Sequence, residues 1–181
     1  MPEPAEPAAP TDAVDPVDTV DVEAPAAAGL ADEEASGLPD VPAPVPVPRW
    51  VVEVEVDPAW YAQSQGPDPL PSAEPPRAVV LSSRSALVGR PSASRNIHPD
   101  VDCGEDSGVS RRHAQLTTDG TRFFVEDLES ANGTFVAAVG GPLPEDPVPV
   151  GPRHELEPGD RVYVGAWTRL VVRAATEDEP A

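Results

Sequence analysis

Three short motifs in the middle of the chain carry the side chains best suited to chemistry. Each places a polar hydrogen-bonding group beside a glycine or an arginine at the end of an apolar run, where a strand would give way to a loop. Arginine presents a planar fork of N–H donors that matches phosphate oxygens, and an asparagine amide can grip a peptide main chain. The motifs therefore predict loops that hold a phosphate group and a peptide backbone. They are Gly89-Arg90, Ser110-Arg111-Arg112-His113 and Ser130-Ala131-Asn132-Gly133-Thr134.

The elements that position these motifs are predicted to be strands. Residues 50–57 alternate valine with acidic residues, the period of a half-buried strand. The stretch 58–76 is turn-rich, and Trp60 and Tyr61 could anchor it to the domain surface. Later apolar runs recur about every ten residues with Gly, Pro, Asn or Asp between them, and no segment shows a sustained helical period, which favours an all-β sandwich. These later strands are predicted at 78–81, 86–88, 114–117, 122–128, 134–136, 161–164 and 168–173.

A fourth motif completes a family resemblance. It is Glu157-Pro158-Gly159-Asp160-Arg161-Val162-Tyr163-Val164-Gly165, and it looks like the closing hairpin of a forkhead-associated (FHA) domain. The order and spacing of the other three motifs are also similar to those of this family. The resemblance covers about residues 77–175, with 49–56 as a candidate first strand. It implies an antiparallel β-sandwich that binds phosphothreonine peptides.

The resemblance also implies a role for each motif residue. Arg90 and the Ser110 hydroxyl would hydrogen-bond the phosphate, and the Arg111 side chain would reach the phosphate or the peptide. Asn132 would hold the main chain of the bound peptide. Many members carry a threonine or serine where this chain has Ala131, so we expect a somewhat weaker grip on the peptide. A supporting set would shape and brace the loops: Gly89, His113, Gly133 and Thr134.

Taken singly, the motifs have simpler explanations. Arg90 could form a salt bridge with an acid of the following loop, and Asn132-Gly133 is a common turn dipeptide. Ser110 and His113 suggest a hydrolase, but the chain lacks the Gly-x-Ser-x-Gly sequence of a nucleophile elbow. We therefore expect a binding protein and not an enzyme.

Most of the negative charge lies outside the predicted domain. The formal net charge is −20, and residues 1–48 hold eleven Asp or Glu and no Arg or Lys. A surface this acidic repels nucleic acid and anionic membranes. Residues 1–48 also lack aromatic residues and have proline at every second position of 41–48, so we expect a disordered tail. Residues 49–76 would supply the first strand and a connecting loop, and 176–181 a short acidic C-terminal tail.

Metal, cofactor and membrane roles find little support. Cys103 is the single cysteine, which excludes an internal disulfide and a cysteine-based zinc cluster. The loop that begins at Asp100 is not an EF-hand, because its sixth and twelfth places hold Glu105 and Arg111. We find no membrane-length apolar run and no secretory signal, and we expect a cytoplasmic protein without metal or cofactor. The acids of this loop would oppose very acidic ligands and narrow the choice of peptide; they are Asp100, Asp102, Glu105 and Asp106.

Together these observations predict a phosphothreonine-dependent adaptor that works with a Ser/Thr protein kinase. Its partner would be a phosphothreonine-containing protein or peptide. The alternative is an FHA fold that assembles proteins without phosphate, which Ala131 mildly favours. The tail contains two threonines, Thr11 and Thr19. Phosphorylation of Thr19, or less readily Thr11, would let the tail occupy its own domain at an effective concentration of order millimolar. The simpler expectation is a passive, solubilising tail.

Overall fold

Two five-stranded β-sheets form the framework of the computed structural model, which describes residues 49–72, 74–177 and 179. Our predictions for residues 1–48, with Thr11 and Thr19, lie outside these described residues. In sheet order, the first sheet contains β2 (Arg77–Leu81), β1 (Trp50–Val56), β10 (Thr168–Ala174), β9 (Arg161–Val164) and β7 (Thr134–Ala137). The second contains β4 (Val101–Asp102), β3 (Ser85–Gly89), β5 (Ala114–Thr118), β6 (Phe123–Asp127) and β8 (His154–Leu156).

Strand β1 joins the two ends of the described chain within the first sheet. It pairs antiparallel with β10 from Trp50 opposite Ala174 to Val56 opposite Thr168, and with β2 on its other side. The alternation in β1 puts Trp50 and Val52 into the core between the sheets. The Trp50 indole N–H also donates to the Ser83 carbonyl oxygen at 2.6 Å, so this buried ring has a partner for its polar atom. The candidate first strand at 49–56 is therefore present as β1, Trp50–Val56.

The core lies between the sheets and confirms the sandwich. Valine and leucine side chains from both sheets form one buried cluster around Trp50, whose ring centroid lies 5.7 Å from that of Phe123. Fully buried members with less than 2% exposure include Val88, Leu116, Val125, Val162 and Leu170. Burial of such side chains contributes about 1.5–3 kcal/mol each. The core thus holds rigid the strand ends from which the motif loops emerge.

One strand pair departs from the antiparallel arrangement that the resemblance implied. β4 runs parallel to β3, with Val88 opposite Val101. The chain between β3 and β4 contains a 3-10 turn at Ala93–Arg95 and a bridge between Ser92 and Ile97. It brings β4 back beside the end of β3, so that β4 runs in the same direction as β3. The long loop predicted after Arg90 therefore contains local structure and an extra edge strand.

The stretch 58–76 contains a helix that the sequence pattern did not predict. Helix α1 spans Pro58–Ser64, and the Asp57 carboxylate caps it by accepting the N–H groups of Ala59 and Trp60 at 2.9 and 3.0 Å. Seven residues are too few for a recognisable helical period, although an N-cap aspartate followed by proline is a typical helix start. The buried Trp60 ring packs between Phe135 and Tyr163, at centroid distances of 4.9 and 5.0 Å. Trp60 thus anchors this stretch, in agreement with the prediction for its aromatic residues.

The acidic C-terminus folds back onto the first sheet at Glu179. Its carboxylate accepts hydrogen bonds from Arg173, which also donates to Glu53 at 2.8 Å. The Arg173 guanidinium and the Thr176 N–H lower the pKa of Glu179 to about 2. This residue is therefore ionised and paired at neutral pH.

Among the described residues, no helix has the length and apolar character needed to cross a membrane.

Candidate functional site

The three motif loops meet at one end of the sandwich, and His113 joins the second of them to the third. This side chain is fully buried immediately before β5. Its Nδ1 accepts the Ser110 N–H at 2.9 Å, and its Nε2 lies 3.0 Å from the Gly133 carbonyl oxygen. An Nδ1 acceptor together with an Nε2 donor defines the neutral Nε2–H tautomer. Burial lowers the pKa of His113 below its ordinary value of 6.5, against the opposing effect of the Gly133 carbonyl, which favours this neutral form.

Ser110 is half-buried, and its hydroxyl links two of the motif loops. Its Oγ accepts the Ala131 N–H at 3.0 Å, which ties the second motif to the third. A hydroxyl that accepts in this way keeps its own O–H free to donate to a ligand. The His113 ring bonds to the Ser110 main chain and not to this hydroxyl. The two side chains therefore do not form the nucleophile–base pair of a hydrolase.

Arg90 follows β3 and is held against the Ser110 loop. Its Nε donates to the Val109 carbonyl oxygen at 2.6 Å, and its main-chain N–H donates to the Ser110 carbonyl oxygen at 3.2 Å. The two Nη groups of Arg90 enter no ion pair with a described residue, so the structure does not contain the salt bridge to the following loop that was the alternative explanation for Arg90. Because Nε is used to orient the side chain, the Nη groups remain as donors for an anion.

Gly89 permits this close approach of the two loops. A Cβ at this position would lie 2.1 Å from the Arg111 carbonyl oxygen and 3.1 Å from that of Ser110. The next residues, Arg111 and Arg112, are exposed, and neither forms an ion pair within the described part of the chain. The structure thus brings the loops that carry Arg90, Ser110 and Arg111 into contact, and it leaves the Nη groups of Arg90 and the exposed Arg111 side chain without an ion pair to a described residue.

Asn132 connects the third motif to the loop that precedes the second. Its Nδ2 donates to the Gly108 carbonyl oxygen at 2.8 Å, and the side chain is exposed. One N–H and the Oδ1 of the amide remain for a ligand, which is the pair that a peptide main chain can use. Gly133 follows with a φ of +80°, a conformation that favours glycine. The turn and the binding surface are therefore built by the same dipeptide.

Asp127 is a supporting residue that the sequence motifs did not reveal. It is 1% exposed at the end of β6, where its carboxylate accepts the Ser130 hydroxyl and the Thr134 hydroxyl, each at 2.6 Å, and the Ser130 N–H at 2.9 Å. Burial raises the pKa of Asp127, but these hydrogen bonds outweigh it and the net shift is downward. Asp127 thus fixes both ends of the Asn132 loop. An aspartate three residues before a serine at a strand end is a usable turn signal.

Asp106 is a second supporting residue, and its position corrects one prediction. It is 1% exposed, and its carboxylate accepts the N–H groups of Ala166, Trp167 and Thr168 at 2.9–3.2 Å and the Thr168 hydroxyl at 2.8 Å. Asp106 therefore does not face a ligand and cannot narrow the choice of peptide. Instead it fastens the loop before Ser110 to the β9–β10 turn. The exposed acids of the loop, Asp100, Asp102 and Glu105, remain on the surface.

The described residues contain no group of three or more His, Cys, Asp or Glu placed to hold a metal ion. What they do contain is a shallow surface with two arginine side chains, one free hydroxyl and one free amide edge. Such a surface can bind an anion and a peptide backbone, because charge-assisted hydrogen bonds to a dianionic phosphate contribute about 1.5–3 kcal/mol each.

Comparison with known proteins identifies the family. A family model for the FHA domain matches residues 86–165. The chain is 33% identical over 120 residues to the oxoglutarate dehydrogenase inhibitor of Corynebacterium diphtheriae, covering 62% of this chain and 75% of the inhibitor. It is 33% identical over 94 residues to the glycogen accumulation regulator GarA of Mycolicibacterium smegmatis, and 36% identical over 81 residues to protein FraH of a Nostoc species. These matches cover 51% and 43% of this chain, but only 53% of GarA and 25% of FraH.

Solved FHA domains are among the structural matches. One is the FhaA FHA domain complexed with the intracellular domain of Rv3910, at 25% identity and a TM-score of 0.41, covering 67% of this chain and 99% of that one. Another comes from work on phosphothreonine-dependent FHA domain interactions, at 25% identity and a TM-score of 0.43, covering 70% and 98%. Since the identity to the corynebacterial inhibitor extends over three quarters of that protein and the FHA model spans all three motif loops, this chain belongs to the FHA domain family.

Proposed function

We propose that this chain is a phosphothreonine-dependent adaptor in Ser/Thr kinase signalling. Arg90, Ser110 and Arg111 hold the phosphate, and Asn132 holds the main chain of the bound peptide. The observation that carries this proposal is the arrangement around His113, which places the Ser110 hydroxyl and the Asn132 loop side by side while using only main-chain atoms of both loops. The Ser110 O–H and the second N–H of the Asn132 amide are thereby left for the ligand.

The donor groups match the charge of the proposed ligand. The two Nη groups of Arg90 and the exposed guanidinium of Arg111 supply the cations, and the Ser110 O–H supplies a neutral donor. A phosphate with nearly two negative charges needs several donors at once. Three charge-assisted bonds at about 1.5–3 kcal/mol each would bring useful affinity without a deep pocket.

A regulatory role is supported by the relatives and by the geometry. Two of the relatives are named as a regulator and as an inhibitor, which favours binding to partner proteins over catalysis. The His113 ring bonds to the main-chain N–H of Ser110 and not to its hydroxyl. His113 therefore does not serve Ser110 as a general base. We therefore assign this chain to the binding proteins, acting downstream of a kinase in the cytoplasm.

Direct binding measurements test the proposal. Fluorescence anisotropy with matched phosphothreonine and unphosphorylated peptides should show binding of the phosphorylated form only. Arg90→Ala should abolish that binding, whereas the control Arg112→Ala should retain most of it, because Arg112 is equally cationic and exposed but has no role in the proposed site. Equal binding of both peptide forms would instead support the phosphate-independent scaffold.

The finer part of the proposal concerns residues 1–48, which lie outside the described structure. Phosphorylation of Thr19, or less readily Thr11, would place a ligand on the same chain as the site and switch the adaptor off. NMR spectra before and after phosphorylation should then show shifts at Arg90, Arg111 and Asn132, and affinity for external phosphopeptides should fall. A Thr19→Ala chain treated with the same kinase is the control. Unchanged shifts and unchanged affinity would refute the switch.

A further inference from the structure

The segment Asp57 to Asp68, here called the strap, lies outside the matched family region and fastens three loops near the site. The Trp60 indole donates to the Gly165 carbonyl oxygen at 3.2 Å, and the Ser64 hydroxyl donates to that of Ala166 at 2.6 Å. The Gln63 amide donates to the Pro144 carbonyl oxygen at 2.6 Å. At its end, the Asp68 carboxylate accepts the Ser107 hydroxyl. The strap is therefore a fixed wall and not a loose connection.

A cleft of about 430 Å³ lies between this wall and the candidate phosphopeptide site. Gln63 and Gln65 line it from the strap, and Gly108 and Asn132 line it from the motif loops. Asn132 thus belongs both to the cleft and to the surface proposed to grip the peptide main chain. A peptide held by Asn132 would have a neighbouring side chain within reach of the cleft.

The chemistry of the lining selects the kind of side chain. Glu145 is the one charged residue among the residues that line the cleft, and it forms no ion pair with any described residue. The half-buried Phe135 also lines the cleft, and the buried Trp60 ring packs against Phe135. A long cationic side chain fits this combination, because its apolar stem can pack against Phe135 while its head group meets the Glu145 carboxylate.

We propose that this cleft binds a lysine or arginine side chain flanking the phosphothreonine of the bound peptide. The inference rests on the proposed function and adds a preference to it. It also distinguishes external ligands from the tail, because residues 1–48 contain no lysine or arginine that could enter the cleft. An external partner with a suitably placed basic residue therefore gains affinity that the phosphorylated tail lacks.

The test is a lysine scan of a phosphothreonine peptide. Fluorescein-labelled peptides carry one lysine, moved stepwise through the flanking positions, and at each position an otherwise identical peptide carries norleucine, which has a similar shape but no charge. Dissociation constants are measured for the parent, Glu145→Gln and Asp146→Asn. Asp146 is the matched control, because it is the neighbouring exposed acid but does not line the cleft.

We expect one lysine position to bind the parent about two- to five-fold more tightly than its norleucine counterpart, the range for an exposed ion pair. Glu145→Gln should remove this gain, Asp146→Asn should keep it, and neither should change the affinity for the norleucine peptide. The inference is overturned if no lysine position improves binding, or if both variants reduce the gain equally. Phosphothreonine binding without a lysine preference refutes this inference alone, whereas no phosphothreonine binding at all refutes the proposed function as well.

Discussion

Replacement of His113 should cost both stability and ligand affinity. The ring is fully buried, and it joins the Ser110 N–H to the Gly133 carbonyl oxygen. His113→Ala removes both hydrogen bonds and the ring, so the two main-chain groups lose their partners and the loops lose the spacer between them. No other described side chain forms hydrogen bonds to the main chains of both loops.

The expected magnitude can be built from these contacts. Each hydrogen bond contributes about 0.5–1.5 kcal/mol net, so the pair accounts for about 1–3 kcal/mol. Removal of a buried ring adds the loss of its packing, as in other large-to-alanine changes in cores. Both partners are only partly buried and water can replace part of the loss. We therefore expect a total of about 3–4 kcal/mol, a large share of the 5–15 kcal/mol that is usual for a domain.

Urea unfolding followed by tryptophan fluorescence measures this change. Two partial replacements divide it: His113→Asn keeps an acceptor near the Nδ1 position, and His113→Gln keeps a donor near the Nε2 position. Each should fall between the parent and His113→Ala. His154→Ala is the control, because His154 is exposed at the start of β8 and should change the free energy of unfolding by less than about 0.5 kcal/mol.

A loss below about 1 kcal/mol for His113→Ala would refute the bracing role, since it is less than the two hydrogen bonds alone should contribute. A variant that unfolds early yet binds phosphothreonine peptide with the affinity of the parent, measured where it is still folded, would show that the ring stabilises the domain without positioning the site.

Three further changes test the supports of the site. Gly89→Ala should abolish phosphopeptide binding, because its Cβ would lie 2.1 Å from the Arg111 carbonyl oxygen and must push that loop away; parental affinity would contradict this. Thr134→Val should reduce the free energy of unfolding by about 1–3 kcal/mol through loss of its bond to the buried Asp127, and an unchanged urea midpoint would refute it. Finally, since the folded pKa of His113 lies below its ordinary 6.5, the unfolded chain binds the proton first, so stability is complete above about pH 6.5 and falls below it. The same urea series repeated from about pH 6.5 down to about pH 5, above the ordinary pKa range of Asp and Glu, should show this loss in the parent and a smaller one in His113→Asn.

The sheet framework was predictable because its signal is local. The alternation from Trp50 to Val56 and the apolar runs that became β3, β5 and β6 depend only on neighbouring residues, and strands with one buried face repeat every second residue. Helix α1 was missed for the opposite reason. Its one buried residue is Trp60, which packs on Phe135 and Tyr163 far along the chain, so the helix has no repeating apolar pattern that could predict it.

The short edge strands follow the same logic. β4 has two residues and β8 three, and each exists because a longer neighbour, β3 or β6, offers main-chain donors and acceptors beside it. A strand this short carries no pattern of its own. Such a strand is a consequence of the fold and could not be predicted from the sequence.

The placement of the motif residues was predictable to the extent that each motif sits at a strand end. The resemblance supplied the order of Arg90, Ser110 and Asn132, and the structure brings their loops into hydrogen-bonded contact. It also supplied His113 as a brace, and the ring does join the Ser110 N–H to the Gly133 carbonyl oxygen. What no motif supplied was the part played by the buried carboxylates of Asp127 and Asp106. For Asp106, that part depends on contacts between residues that are distant in sequence.

Asp106 shows why such contacts cannot be predicted from the sequence. In the sequence it is one of four acids in a polar loop, and an acid there is most simply expected at the surface, where it would repel acidic ligands. In the fold it lies buried against the turn at 166–168, about sixty residues away, where four N–H or O–H groups would otherwise be without partners. A buried carboxylate is costly unless it is hydrogen-bonded this fully. Asp106 was expected to affect the choice of ligand, but it holds the loop before Ser110 in place. Its effect on binding must therefore act through the position of that loop.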